Sequence, residues 1–227
     1  MIFALVNDKG GVGKTTTAAN LGVMRSLAGY RTAVVDCDKQ NTLSNWCVLR
    51  AHLNPGAQFL VRHQLTGSDV AEQLLSMVSP PNEDLDVIVD THGADSVEMR
   101  QAMSVADKVV MPLQMSQFDL WGVSRVLEVA KRIEATWPPG SKMDIAAMIN
   151  GAHPSSVADK KKMREALEAE GLKVLDTVMH WRTIYQKMSS TGLAVVEMKN
   201  QDARGAATKE ILGLYREVFG EEWRIKE

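Results

Sequence analysis

The sequence predicts an α/β fold: a mainly parallel sheet flanked by helices on both faces, in a single domain over residues 1–227. Three observations point there. Short apolar runs alternate with helical patterns along the chain, as in repeated βαβ units. The runs are nearly continuous in Val, Ile, Leu, Met and Ala, which suits strands buried on both faces. The first run passes straight into a glycine-rich turn that opens a helix, the layout of a phosphate-binding βα unit. A length of 227 residues is within reach of one such domain.

Each element has its own signal. Ile2–Val6 is the first strand, and the helix Lys14–Ala28 stops at Gly29. Thr32–Asp36 is the second apolar run, and Ala57–Val61 a short extra one. The helix Asp69–Val78 opens with an Asp-x-x-Glu capping pattern, Asp69 to Glu72, and ends before Pro80-Pro81. Leu85–Asp90 and Lys108–Leu113 are strands separated by the helix Ser96–Val105. The helix Leu120–Thr136 runs into Trp137-Pro138-Pro139-Gly140, a strong break that reads as a loop rather than a linker. Ile145–Asn150 and Val174–Val178 are strands around the helix Ser156–Glu170. A late strand over Ala194–Met198 and a final helix over Ala203–Phe219 complete the pattern.

Composition narrows the classes. A formal net charge of -2 excludes a bulk polycation, so any nucleic-acid contact must come from a local patch. Cys37 and Cys47 are too few for a disulfide framework and lack metal-ligand spacing. The first strand begins at once, which leaves no room for a signal peptide. No apolar run approaches the roughly 20 residues that span a bilayer. The expected location is cytoplasmic.

Residues 7–16 read Asn-Asp-Lys-Gly-Gly-Val-Gly-Lys-Thr-Thr. The usual phosphate loop is G-x-x-x-x-G-K-[ST]. Gly13-Lys14-Thr15 supply its end, while Asp8 holds the first glycine position and Lys9 adds a second cation. Gly10, Gly11 and Gly13, with Val12 between them, let backbone N–H groups curl around a polyphosphate. The helix start adds further donors and a positive dipole end. Lys14 is placed for the β- and γ-phosphates, Thr15 for Mg²⁺, and Thr16 for the α-phosphate. The chain therefore reads as a P-loop NTPase. Lys9 precedes the curl. Spacing alone leaves it either a solvated lysine or a cation that crosses to a nucleotide in a second subunit, in the manner of an arginine finger.

Ligands in open α/β sheets bind beyond the carboxyl ends of the strands. Asp90 ends an apolar run and fits a Walker B aspartate holding a Mg²⁺-bound water. A helix cap or turn role is the alternative. Gly93 allows a backbone N–H to approach the γ-phosphate. Asp36 and Asp38 lie two apart, so an extended backbone points both to one side. One then serves the metal while the other orients the attacking water. His92 reads as an exposed turn histidine.

Lys9-Gly10-Gly11-Val12-Gly13-Lys14-Thr15-Thr16 resembles the deviant Walker A box of the ParA/MinD family of ATPases over eight consecutive positions. The resemblance implies that Lys9 contacts ATP across a nucleotide-sandwich dimer. Asp36-Cys37-Asp38-Lys39-Gln40 is similar to the family's Asp-x-Asp-Pro-Gln switch, which implies a water-positioning Asp38 and an Asp36 near the metal. Lys39 stands in place of the proline, which loses the fixed φ and puts the hydrolysis rate in question. His92 also stands where the family has proline. Thr42-Leu43-Ser44-Asn45-Trp46 resembles the small plasmid-partition members. Pro112-Leu113-Gln114-Met115-Ser116-Gln117-Phe118-Asp119-Leu120-Trp121 looks like the family's dimer-face segment, with Met115 replacing its second proline. Asn150 matches the asparagine that contacts adenine.

The resemblance implies ATP and Mg²⁺ as cofactors, an ATP-dependent homodimer, non-specific DNA at the nucleoid, and a ParB-like or other adaptor that stimulates hydrolysis. The implied role is plasmid or chromosome partitioning, with positioning of a protein cargo as the alternative. Arg182 and Lys187 fall in a segment similar to the DNA-facing part of partition ATPases. Lys160, Lys161 and Lys162 form a second basic cluster, which a solvated helix face also explains, since Glu165, Glu168 and Glu170 follow. No helix-turn-helix segment precedes the loop. A membrane-bound regulator would need a basic amphipathic tail. The final helix is acidic, so no membrane partner is expected. A metabolic P-loop enzyme and a non-hydrolysing binding module are the other classes, and the Lys9 box with the Asp36/Asp38 pair disfavours the former.

Overall fold

The computed structural model describes residues 1–58, 60–198 and 205–226. In chain order the elements are β1 (Ile2–Leu5), α1 (Lys14–Leu27), β2 (Thr32–Cys37), α2 (Thr42–Leu53), β3 (Val61–Gln64), α3 (Val70–Met77), β4 (Asp86–Thr91) and α4 (Val97–Val105). Then follow β5 (Lys108–Leu113), α5 (Gln117–Glu134), β6 (Ile145–Ile149), α6 (Val157–Ala169), β7 (Lys173–Val174), α7 (Thr183–Thr191) and α8 (Ala206–Phe219). The strands form one seven-stranded sheet in the order β3-β2-β4-β1-β5-β6-β7. Every pairing is parallel.

Two apolar layers cover this sheet. Side chains alternate along a strand, so Phe3 and Leu5 enter one layer while Ile2, Ala4 and Val6 enter the other. The first layer is closed by α1, α2, α7 and α8, through residues such as Leu21, Trp46, Met188 and Tyr215. The second is closed by α3, α4, α5 and α6, through Leu74, Met103, Val126 and Leu167. A one-residue slip of β1 would exchange the two sets, so packing on both faces fixes its register. That register in turn fixes which loops meet at the strand ends.

The structure departs from the sequence expectations at polar or short elements. The extra strand is Val61–Gln64 rather than Ala57–Val61, and all four of its residues are exposed. Among the described residues it is an edge strand paired with β2 alone, so no apolar run announces it. Phe59 lies outside the described residues. Val174–Val178 yields only the two-residue β7. The amides of Leu175 and Met179 nevertheless continue along β6 to the carbonyls of Ala147 and Ile149. Ala194–Met198 is a short 3₁₀ turn over Val195–Glu197, not a strand. Asp69 does not cap α3 with its side chain; its carboxylate accepts from Gln73 Nε2 instead, at 2.8 Å. The start of the expected helix at Ala203 lies outside the described residues.

Two helices, α2 and α7, have no counterpart among the expected elements. In α2 the charged Arg50 is buried while Val48 is exposed, which breaks the amphipathic stripe. Arg50 is held by Glu197 at 2.6 Å. In α7 only Ile184 and Met188 are buried, too brief a stripe to read. The two helices are fastened together where the Trp46 indole donates to the Met188 carbonyl at 2.8 Å.

Candidate nucleotide site

Five strand ends converge on the carboxyl edge of the sheet. β1 delivers the glycine-rich loop, β2 delivers Asp36 and Asp38, β4 delivers Asp90 to Gly93, β5 delivers Gln114, and β6 delivers Asn150. The loop depends on two left-handed glycines, Gly11 at φ 74° and Gly13 at φ 96°. A Cβ at Gly13 would lie 2.1 Å from the Asn150 side-chain nitrogen. Asn7 anchors the loop from below. Its Nδ2 donates to the Pro112 carbonyl at 2.7 Å, and its Oδ1 accepts the Lys9 amide at 2.9 Å. Gln114 Nε2 donates to the Gly11 carbonyl at 3.2 Å, and Asn150 donates to the Val12 carbonyl.

Lys14 is buried, and its ammonium donates to the Lys9 carbonyl at 3.0 Å. Burial pulls its pKa below the ordinary lysine range, against the carboxylates of Asp90, Asp38 and Asp8. Taking a cation out of water is unfavourable unless anions compensate. A polyphosphate in the loop is the compensation this geometry invites.

Thr15 Oγ1 donates to Asp90 Oδ2 at 2.6 Å. Asp90 Oδ1 is buried and has no hydrogen-bond partner among the described residues. Burial, helped by Asp36 and Asp38 and opposed by Thr15 and Lys14, pushes the Asp90 carboxyl up to about 7. An orphaned carboxylate oxygen beside a threonine hydroxyl fits a hydrated divalent cation, which favours oxygen ligands. Thr15 and Asp90 are therefore the residues that fit Mg²⁺. Asp36 differs: its two oxygens accept the backbone amides of Asp38 at 3.0 Å and Ser44 at 2.8 Å. It fastens the strand end to the first turn of α2.

Asp38 is partly exposed, and its Oδ1 accepts the Gln40 amide at 2.9 Å. The same oxygen lies 2.9 Å from His92 Nδ1, so this turn histidine is engaged rather than merely exposed. Gly93 packs on the loop, and a Cβ there would meet Gly10 N at 2.5 Å and Gly10 Cα at 2.6 Å. Displacing backbone costs about 1–3 kcal/mol. Gly93→Ala is thus expected to weaken ATP binding by about 5- to 150-fold. A nucleotide titration beside a melting curve checks this, and an unchanged affinity would refute the close packing of Gly93 on the nucleotide loop. Asp8 is also engaged, with Arg125 Nη1 of α5 at 3.0 Å.

A cavity of about 400 Å³ extends from Gly13 and Thr16 past Asn150 to Trp181 and Arg182. Arg182 thus lies on the nucleotide side of α7, where its guanidinium pairs with Glu210 at 2.6 Å. Glu210 also receives His180 Nδ1 at 2.8 Å, and Lys160 Nζ lies 3.0 Å from His180 Nε2. Lys160 and Arg182 therefore belong to one cluster. Lys161, Lys162 and Lys187 are exposed.

Residues 3–195 match the CobQ/CobB/MinD/ParA nucleotide-binding domain. The chain belongs to that family. It is a ParA/MinD-type ATPase, and its sheet and loop are those of the MinD/ParA fold. One relative is the maintenance of carboxysome distribution protein A of Halothiobacillus neapolitanus, 30% identical over 96% of this chain and 95% of that one. Another is the chromosome-partitioning ATPase Soj of Treponema pallidum, 25% identical over 95% of this chain and 96% of the relative. Among solved structures, the MinD cell division protein of Aquifex aeolicus aligns with a TM-score of 0.73 at 16% identity, over 99% of both chains. Among the described residues of this ATPase, no helix is long and apolar enough to cross a membrane.

Proposed function

We propose that this ATPase, acting as one unit over residues 1–227, is a nucleotide-timed positioning switch of the partition type. The observation that carries the reading is the pair of lysines on one loop. The Lys14 side chain turns inward to the backbone carbonyl of Lys9 at 3.0 Å. Lys14 serves the ATP of its own protomer, while Lys9 serves the ATP of a second copy in a sandwich dimer. Gly10, Gly11, Val12, Gly13 and Thr16 cradle the phosphates, Gly93 approaches the γ-phosphate, and Asn150 lies on the adenine side. Mg²⁺ on Thr15 and Asp90, with Asp36 behind them, would neutralise charge on the phosphate oxygens. Asp38 orients the water whose oxygen attacks the γ-phosphorus, giving ADP and phosphate.

Dimer closure joins two small basic surfaces, and bivalency then makes the dimer bind DNA better than the monomer. An adaptor of the ParB kind triggers hydrolysis and release. In this reading the cargo is a plasmid or chromosome locus carried over the nucleoid. A protein assembly is the second reading, favoured by the likeness to the carboxysome-distribution protein.

DNA co-sedimentation with ADP, ATP and a slowly hydrolysed analogue, across salt, tests the surface. Binding should require ATP or the analogue and fall steeply with salt. Replacing Lys161, Lys162 and Lys187 with alanine should lower the salt slope by about 1 for each phosphate no longer neutralised. Arg182→Ala should also weaken binding, but it releases Glu210 and His180 as well, so the exposed lysines are the cleaner probe. Absence of binding in every nucleotide state would remove DNA from the cycle.

A further inference from the structure

We propose that His92 is a positioning residue for hydrolysis, holding the Asp38 carboxylate through a hydrogen bond from its Nδ1. The inference rests on the reading of Asp38 as the residue that orients the attacking water.

The sheet makes this pairing. β2 and β4 are parallel neighbours with Asp36 opposite Asp90 and Cys37 opposite Thr91. The residues that follow that last pair leave the sheet side by side, and His92 Nδ1 reaches Asp38 Oδ1 at 2.9 Å. In the Nδ1–H tautomer, as in the imidazolium, the ring donates and the carboxylate accepts.

The histidine stands on a fixed platform. The Thr91 hydroxyl immediately before it donates to the Leu5 carbonyl at 2.8 Å and is buried. Gly93 immediately after it packs so closely on Gly10 that a Cβ would lie 2.5 Å from the Gly10 nitrogen. Its position is therefore tied to the phosphate loop itself. Asp38 is held less firmly. Lys39 follows it and leaves the backbone φ free where a proline would fix it. On its own side, among the described residues, the carboxylate is held by the Gln40 amide, at 2.9 Å, two residues along the same turn. His92 supplies the hold from the opposite strand end. Two donors on one oxygen restrict the rotation of the carboxylate and keep the other oxygen in a set direction.

A catalytic group displaced by about 1 Å loses on the order of 100-fold in rate. His92 acts through Asp38, so its loss should appear in kcat more than in ATP binding.

The test compares His92→Ala, His92→Asn and Asp38→Ala in the full chain. Phosphate release is followed at saturating Mg²⁺-ATP, and ATP affinity and melting midpoint are measured alongside. His92→Ala should lower kcat by about 10- to 100-fold with KM changed less than about 3-fold. His92→Asn places a donor near the former Nδ1 and should restore kcat to within about 3-fold. If the alanine variant does not fold, His92→Phe keeps the ring without the donor and takes its place. Normal turnover in His92→Ala or its Phe substitute, with Asp38→Ala inactive, overturns the proposal. So does an asparagine variant as slow as the alanine one. Normal turnover in Asp38→Ala instead overturns the underlying assignment of Asp38.

Discussion

Lys14→Ala should bind ATP at least about 100-fold more weakly than the parent chain. A charge-assisted hydrogen bond to phosphate contributes about 1.5–3 kcal/mol, and about 1.4 kcal/mol is a factor of ten. The expected loss is thus that of two modest hydrogen bonds, or one strong one with its Coulomb attraction. Burial adds to it. The ammonium is already held below its ordinary pKa by desolvation, with Asp90, Asp38 and Asp8 as its compensation. Polyphosphate brings further anionic charge to a cation that has lost its water. Without Lys14 the same phosphates would lose the buried cation that the carboxylates of Asp90, Asp38 and Asp8 surround. Isothermal titration with ATP and ADP reads the effect. An affinity within a few-fold of the parent would show that the loop amides suffice.

Lys9→Ala should behave in the opposite way. Its backbone carbonyl, which accepts from Lys14, survives the substitution, so ATP affinity of the isolated protomer should stay within about 3-fold. What should disappear is the ATP-dependent dimer, and with it turnover. A cation supplied in trans to a phosphoryl transfer contributes about 10³- to 10⁵-fold, and the lower figure is the expected fall in kcat. Light scattering with ATP and with ADP, beside phosphate release, separates the two lysines. A Lys9→Ala protein that dimerises normally on ATP would remove the trans role, whatever its turnover.

What the sequence announces depends on where the physical signal is local. The central strands β1, β2, β4, β5 and β6 lie between two apolar layers, so their residues are apolar on both sides and visible as runs. Edge strand β3 has Arg62, His63 and Gln64 exposed and gives no such run. Helix α1 is legible because Gly13-Lys14-Thr15 sit at its start. Helix α2 is not, because Arg50 is buried on its partner Glu197 far along the chain. The site divides in the same way. The loop, Thr15 and Asp90 follow from strand–turn–helix grammar, since each is defined by its neighbours in sequence. The Asp38–His92 pair joins the residues just past two strand ends, and only the adjacency of β2 and β4 brings them together. The cluster of Lys160, His180, Arg182 and Glu210 is of that second kind as well. Its charges look like a basic patch in sequence, while in three dimensions Glu210 neutralises part of it.

The convergence of five strand ends has a consequence for the protein in a living cell. No segment of the chain carries the site alone: Asn7, Asp38, Asp90, Gln114 and Asn150 come together only when the parallel sheet is complete. An unfolded chain therefore has nothing to offer ATP, and binding draws the population toward the native state. At a ligand level 100 times the dissociation constant this adds about 2.7 kcal/mol to stability. The adenylate charge of the cell thus becomes a term in how long each molecule survives. A copy that has emptied its site stands closer to unfolding, and to proteolysis, than one that is loaded.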